Sequence, residues 1–239
     1  MKTKTYFILI SILLFSFGTF LSLYFSSNLL WGEIEAVIFA PQVDAKKLQL
    51  DCPLMLAPSE SATIHASFIN TSDKATKPQV NAFISTQSGD VRVETQTLEL
   101  ESLESVSLQW TVDSSDVVFD RLILISILQR PYRDLEARQG TCSIYVYSLF
   151  GMNGRSTLLT ITELGVILSV IGIGLMHYLF YPLADRIKKL MHVNILFLVL
   201  VLLGLFSSLQ TLWGLTLFFN ATALLSISVA YVEILLSRK

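Results

Sequence analysis

Two cysteines, three histidines and a few polar side chains set in apolar surroundings are the residues of this 239-residue chain whose types could do chemistry. Cys52 and Cys142 stand 90 positions apart. They could pair, remain as buried free thiols, or ligate a metal. A structural metal site wants about four clustered Cys or His ligands, and His65, His177 and His192 are scattered along the chain. An even number of cysteines, one near each end of the same polar region, favours a disulfide in an oxidising compartment. Chain entropy assigns such a long loop about 4–5 kcal/mol of stability.

Glu163, His177, Asn220 and Glu233 lie in or at the ends of apolar runs. Ionisable groups at membrane depth are functional candidates by default, and an ion or proton path wants them near mid-membrane. Glu163 sits about one turn into its run, while His177 and Glu233 lie near the ends of theirs. Asn220 is the strongly polar candidate for such a path, and it too stands five residues into its run. His177 and Glu233 share a similar depth, which leaves a contact between them open. Gly165 and Gly172, seven apart, share a helix face, and Ser226 and Ala230 are small residues of a later run. Small residues let membrane helices approach closely, so these four are expected to pack against other helices of this chain or of a partner. In the polar region, the charged stretch Arg130–Arg138 carries Tyr132, Arg133 and Arg138. These types suit a protein-contact hot spot, beside the plainer reading of a solvated loop. Phosphate-binding, dinucleotide-binding, nucleophile-elbow and His-Glu-x-x-His motifs are absent. No catalytic residue, metal ligand or cofactor is therefore assigned, and an enzyme is not expected.

The elements that must position these residues are of two kinds. Hydrophobic residues form 52% and charged residues 15% of the chain, and the apolar excess is gathered in four blocks: Tyr6–Phe25, Leu158–Tyr181, Val193–Leu209 and Leu215–Leu236. A helix of about 20 apolar residues crosses a bilayer, so four transmembrane helices are predicted, the last two as a tight hairpin. Lys2 and Lys4 precede the first block, Arg186, Lys188 and Lys189 lie between the second and third, and Arg238 and Lys239 follow the fourth. With both termini in the cytoplasm, all three basic clusters fall on one side, as the positive-inside rule requires. Residues 30–155 are then extracytoplasmic, with a short cytoplasmic loop at 182–192, and Trp31 and Trp213 sit at the outer interface. The predicted organisation is 1–29 for the N-terminus and first helix, 30–155 for the outer domain and 156–239 for helices two to four. The first block exceeds the 7–15 apolar residues of a secretory leader and lacks a small-x-small cleavage site, so it reads as a retained anchor in a plasma or inner membrane.

Between Glu33 and Arg155 stand sixteen acidic and ten basic residues, a net of −6. That balance argues against nucleic acid as a partner. From Ile34 to Tyr147 short alternating runs replace helical periodicity. They include Ala62–Ile69, Val80–Ser85, Val91–Leu100, Ser105–Val112, Leu122–Leu128 and Cys142–Tyr147, separated by turn signals such as Ser88-Gly89-Asp90. Seven or eight short strands at this spacing predict an antiparallel β-sandwich inserted between helices 1 and 2. Val106, Leu108, Trp110 and Val112 share one face, which makes Trp110 a core residue. The stretch Ala57-Pro58-Ser59-Glu60-Ser61-Ala62-Thr63-Ile64, continuing to Asn70-Thr71-Ser72, resembles the second strand of bacterial extracytoplasmic immunoglobulin-like and adhesion-type modules. That resemblance implies a sandwich and, by analogy, a binding role. Asn70-Thr71-Ser72 also fits a glycosylation sequon. The order of elements is similar to claudin-like four-helix proteins, although Trp31 stands alone where those carry a Trp-x-x-Trp-Cys-Cys signature.

The expected function is a non-catalytic membrane subunit or scaffold, which binds membrane or extracytoplasmic proteins, or a second copy of itself, through the outer domain and the helices. An adhesion or junction-type protein and a transport component acting as an oligomer are the alternatives. The cysteine pairing has a direct test. Alkylation of the denatured, unreduced protein should label neither Cys52 nor Cys142, and labelling should appear at both only after reduction.

Overall fold

The computed structural model describes residues 2–133, 135–180 and 185–236, with the side chains of 2–5, 180, 185–190, 230, 231 and 233–236 left aside. The elements run α1 (Lys2–Phe39), β1 (Lys46–Lys47), β2 (Leu50–Asp51), β3 (Met55–Leu56), β4 (Ala62–Ile69), β5 (Gln79–Ser85), β6 (Val91–Thr97), β7 (Ser105–Val112), β8 (Leu122–Gln129), β9 (Arg138–Val146), α2 (Gly154–Phe180), α3 (Asp185–Leu209) and α4 (Trp213–Leu236). They form two compact units. One comprises Met1–Leu30 with Leu158–Lys239, the other Trp31–Thr157.

Among the helices, the described stretches Tyr6–Phe39, Gly154–Leu179 and Met191–Leu209 are long and apolar enough to cross a membrane, and Trp213–Val229 is a shorter apolar stretch of α4. All four helices contribute to one apolar cluster that includes Phe15, Met176, Phe197, Val201 and Ala223. The Phe15 and Phe197 rings meet edge to face at 6.5 Å. α3 and α4 form a hairpin whose turn contains Thr211 in the left-handed region, at φ 56°.

The second unit holds two sheets, ordered β1-β9-β8-β5-β6 with β3 also on β9, and β2-β4-β7. Alternate residues of both sheets enter a common core. Ile64, Ala66, Phe68, Trp110 and Val112 come from one sheet, and Val80, Ala82, Ile84, Ile123, Ile125, Ile127 and Ile144 from the other. The register sets Trp110 opposite Ile64 and Cys142 opposite Ile125. Cys52 and Cys142 are disulfide-bonded, with Cα atoms 6.6 Å apart. The bond ties the segment between β2 and β3 to β9.

Three expectations are corrected. The region from Ile34 onward does not begin with strands, because α1 continues through Phe39. Gly32, Ala36 and Ala40 recur every four residues, and all three are buried. That small face lets the helix lie close on β8 and β9. A Cβ on Gly32 would come within 2.6 Å of Ser143 Oγ, and Ala36 packs with Leu122 and Leu124. Gln139 Nε2 donates to Pro41 O at 2.9 Å, and Thr141 Oγ1 donates to Glu33 Oε1 at 3.4 Å. At about 1.5 Å per residue, α1 is about 57 Å long, well beyond the roughly 30 Å of a hydrocarbon core.

The sheets are also not purely antiparallel. β1 and β3 run parallel to β9, while β2 between them pairs antiparallel with β4 of the other sheet. The chain from Lys46 to Leu56 switches from one sheet to the other and back, which two-residue strands without alternation do not announce. Finally, α3 begins at Asp185, so most of the expected loop 182–192 is helical. Polar residues at a helix end keep its backbone hydrogen bonds while lowering the local hydropathy.

The packing of α1 on β8 is testable by placing arginine on each of its faces. Ala36→Arg should strongly lower the thermal unfolding temperature of the purified protein, because it buries an unpaired charge between helix and sheet. Val37→Arg, on the exposed face, should leave it nearly unchanged.

Candidate functional site

The small residues of the helical unit converge on a seam between α1 and α2. A Cβ on Gly18 would stand 2.5 Å from Ser169 N and 2.7 Å from Gly165 O, and one on Gly165 would stand 2.7 Å from Ser22 Oγ. Gly172 lies against Phe15, where its Cβ would come within 2.6 Å of the Phe15 Cα. The nearness of the opposing backbone therefore requires glycine at Gly18 and Gly172, whereas a Cβ on Gly165 would first meet the Ser22 hydroxyl. The serines of the seam do not spend their hydroxyls across it. Ser22 Oγ donates to Gly18 O at 3.0 Å and Ser169 Oγ to Gly165 O at 2.7 Å, each one turn back along its own helix. Such self-satisfied hydroxyls act as small residues in an apolar setting.

Asn220 forms the polar node of this unit. Its Nδ2 donates to Ser26 Oγ at 3.0 Å, while its buried Oδ1 has no partner among the described residues. Gly204 of α3 faces that amide, in space that any side chain would fill. Asn220 thus links α4 to α1 across a gap that glycine on α3 keeps open. Ser226 Oγ donates to Ala223 O within its own helix, and Ala223 is fully buried. Glu163 and His177 are on exposed faces of α2. Ala230 and Glu233 lie outside the residues whose side chains are described, and with them the His177–Glu233 contact left open above. Gly18, Ser22, Ser26 and Gly204 were not singled out from the sequence. The spacing of Gly18, Ser22 and Ser26, every four residues, is the signal that could have found the first three.

On the strand unit, Tyr132 and Arg133 lie in the loop between β8 and β9. The Arg133 guanidinium stacks over the Tyr132 ring at 5.3 Å, and Arg133 adopts φ 50°. Tyr132 and Leu135 exchange two backbone hydrogen bonds of 3.0 and 2.9 Å. Arg138 is separated from this loop tip, since it is the first residue of β9 and pairs with Gln129 and Lys46. Asn70 is buried, and its Nδ2 donates to the carbonyl oxygens of Lys74 at 2.8 Å and Glu101 at 2.8 Å. The sequon nitrogen is thus occupied in closing loops. Glu60, the acidic residue of the Pro-Ser-Glu turn, accepts from Ala57 N at 2.8 Å and from Gly154 N at 2.8 Å. Its carboxylate clamps the turn to the start of α2. Among the described residues no three His, Cys, Asp or Glu side chains cluster as metal ligands would.

No protein-family model matches the chain, and no curated protein matches it. Among solved structures it is similar to red sea bream transglutaminase (9% identity, TM-score 0.35), over 45% of this chain and 17% of that one. A Paenibacillus cycloisomaltooligosaccharide glucanotransferase gives 26% identity and TM-score 0.34, over 45% of this chain and 14% of that chain. A CARDB domain from Pyrococcus furiosus gives 11% identity and TM-score 0.33, over 42% of this chain and 93% of that one. The chain spans 17% and 14% of the length of the two enzymes. Superpositions this loose carry no argument about activity.

The seam predicts a position-specific response. Gly18→Leu and Gly172→Leu should each lower the unfolding temperature in detergent by forcing α1 and α2 apart. Gly174→Leu, at a glycine with open space around it, should leave stability unchanged or slightly raised, since leucine is the better helix former.

Proposed function

We propose that this chain is a non-catalytic integral membrane subunit whose four helices span the bilayer, with both termini cytoplasmic. Residues 30–155 form an immunoglobulin-like β-sandwich on the outer side and bind an extracytoplasmic or membrane protein. The observation that carries the reading is the loop tip between β8 and β9, where a cation stacked on a tyrosine is held out by a left-handed residue. Arginine and tyrosine are among the side chains that dominate protein-contact energetics. Stacking restrains both before a partner arrives, which lowers the entropy cost of binding. The α1–α2 seam supports the same reading from the membrane side, because its small residues are already used within the chain. The faces left to lipid or to a partner's helix carry large apolar side chains such as Phe17, Phe20 and Tyr24.

Purification from the native membrane in mild detergent, followed by mass spectrometry, tests this directly. A partner should appear in fixed ratio. Tyr132→Ala with Arg133→Ala should reduce its recovery at least tenfold while the Cys52–Cys142 pair still forms. If the chain emerges alone or only with copies of itself, the subunit reading fails, and adhesion or oligomeric transport takes its place.

A further inference from the structure

The strand unit exposes several large apolar side chains at the end from which the chain continues into α2. Phe150 is 95% and Phe119 62% exposed, and Tyr147 is exposed beside them in the sequence of the same end. The register of β8 and β9 fixes this grouping. Leu122, the first residue of β8, pairs with Tyr145, and Val146 N donates to Arg121 O at 2.8 Å. The tip Val118–Leu122, closed by Leu122 N donating to Val118 O at 3.0 Å, therefore lies beside the last residues of β9. Trp31, also exposed, joins the same end, because its neighbour Gly32 packs on Ser143 and Leu122.

Two features mark this group, and the second separates it from other exposed hydrophobes. Phe119 and Phe150 are both held in the left-handed region, at φ 54° and 51°, as is Asp120 at φ 57°. Non-glycine residues occupy that region at a cost, and they persist where the surrounding structure holds them there. An exposed arginine also follows each phenylalanine, Arg121 two residues after Phe119 with the exposed Asp120 between them, and Arg155 five residues after Phe150 in the first turn of α2. An aromatic ring beside an arginine matches the membrane interface, where rings sit at headgroup level and guanidinium groups meet phosphates. Chain length sets the distance. Phe150 precedes α2 by four residues, which span at most about 14 Å. The apolar block from Leu158 starts about one further helical turn on.

We infer that this end of the strand unit is a lipid-binding surface, with Trp31, Phe119, Tyr147 and Phe150 seated in the headgroup region of the outer leaflet. The inference rests on the reading of the helices as membrane-spanning. Leu103 provides the contrast. It is 74% exposed and left-handed too, but it sits in the β6–β7 connection at the opposite end of the strands, flanked by Glu101 and Glu104.

Spin labels attached to Phe119→Cys, Phe150→Cys, Leu103→Cys and Ile167→Cys test it in full-length protein reconstituted into phosphatidylcholine–phosphatidylglycerol vesicles. The native cysteines are paired, so the label reports the introduced thiol. Collisions with oxygen, which enters lipid, are compared with collisions with a water-soluble nickel chelate. The oxygen-to-nickel ratio at 119 and 150 should exceed that at 103 several-fold and fall below that at 167, an exposed position of α2. If 119 and 150 match 103 while 167 is lipid-exposed, the lipid-binding surface is overturned and the membrane reading stands. If 167 also meets nickel freely, the membrane reading fails and this inference fails with it. Hydroxyl-radical labelling of the unsubstituted protein in the same vesicles gives a second reading. Phe119 and Phe150 should be protected relative to Leu103, and equal labelling counts against the proposal.

Discussion

The strand unit depends on β8 being buried on both of its faces. All eight residues of Leu122–Gln129 are buried. Ile123, Ile125 and Ile127 enter the core shared by the two sheets, while Leu122 and Leu124 meet Ala36 of α1. A strand covered on both faces reads as a continuous apolar run, in the manner of strands inside α/β proteins. The cover is a helix that begins among apolar residues near the N-terminus and changes role after about Leu30. From there on its small residues, Gly32, Ala36 and Ala40, bring its backbone close to the sheet. Removing that cover would leave Leu122 and Leu124 facing water. α1 is thus part of the strand unit's core as well as an apolar helix.

In the helical unit the corresponding constraint is close approach of backbones. Helices in lipid gain little from the hydrophobic effect among themselves, so packing contacts and a few hydrogen bonds decide which faces meet. Gly18, Gly165 and Gly172 permit that approach, and serines satisfy themselves on their own helices. Asn220 is the exception, donating to Ser26 across the unit. Its Oδ1 is buried and has no partner among the described residues. The disulfide supplies a comparable constraint in the strand unit, where the sheet-switching segment from Lys46 to Leu56 has only two-residue strands to hold it.

The polar clamps follow one rule, in that each closes a loop through a buried or half-buried side chain. Asn70 fastens two connections by donating to backbone carbonyls. Glu60 fastens the Pro-Ser-Glu turn to the first residues of α2. Asp116, at the end of the short 3-10 turn capped by Asp113, accepts from Asp113 N at 3.1 Å and meets Arg92 at 3.4 Å. Side chains used in this way hold connections of the strand unit in place.

By itself the sequence determined the apolar blocks, the bounds of β4 and β7, the inward face bearing Trp110 and the pairing of the two cysteines. Each rests on a signal local to a few residues: hydropathy sustained over a helix, alternation sustained over a strand, or a count of thiols. The tertiary structure alone decided that α1 outruns its apolar block and roofs β8, since Trp31–Phe39 lacks a simple amphipathic pattern and its helical face is set by the sheet below. It decided the parallel pairing of β1 and β3 with β9, because two-residue strands carry no periodicity. It decided which glycines matter. Gly165, Gly172 and Gly174 look alike in sequence, yet only the first two meet another backbone. Arg138 parted from Tyr132 and Arg133 for a related reason, as strand pairing claimed the residue that charge alone had placed in the loop. Local patterns fix elements, whereas partners distant in the chain fix which faces those elements bury.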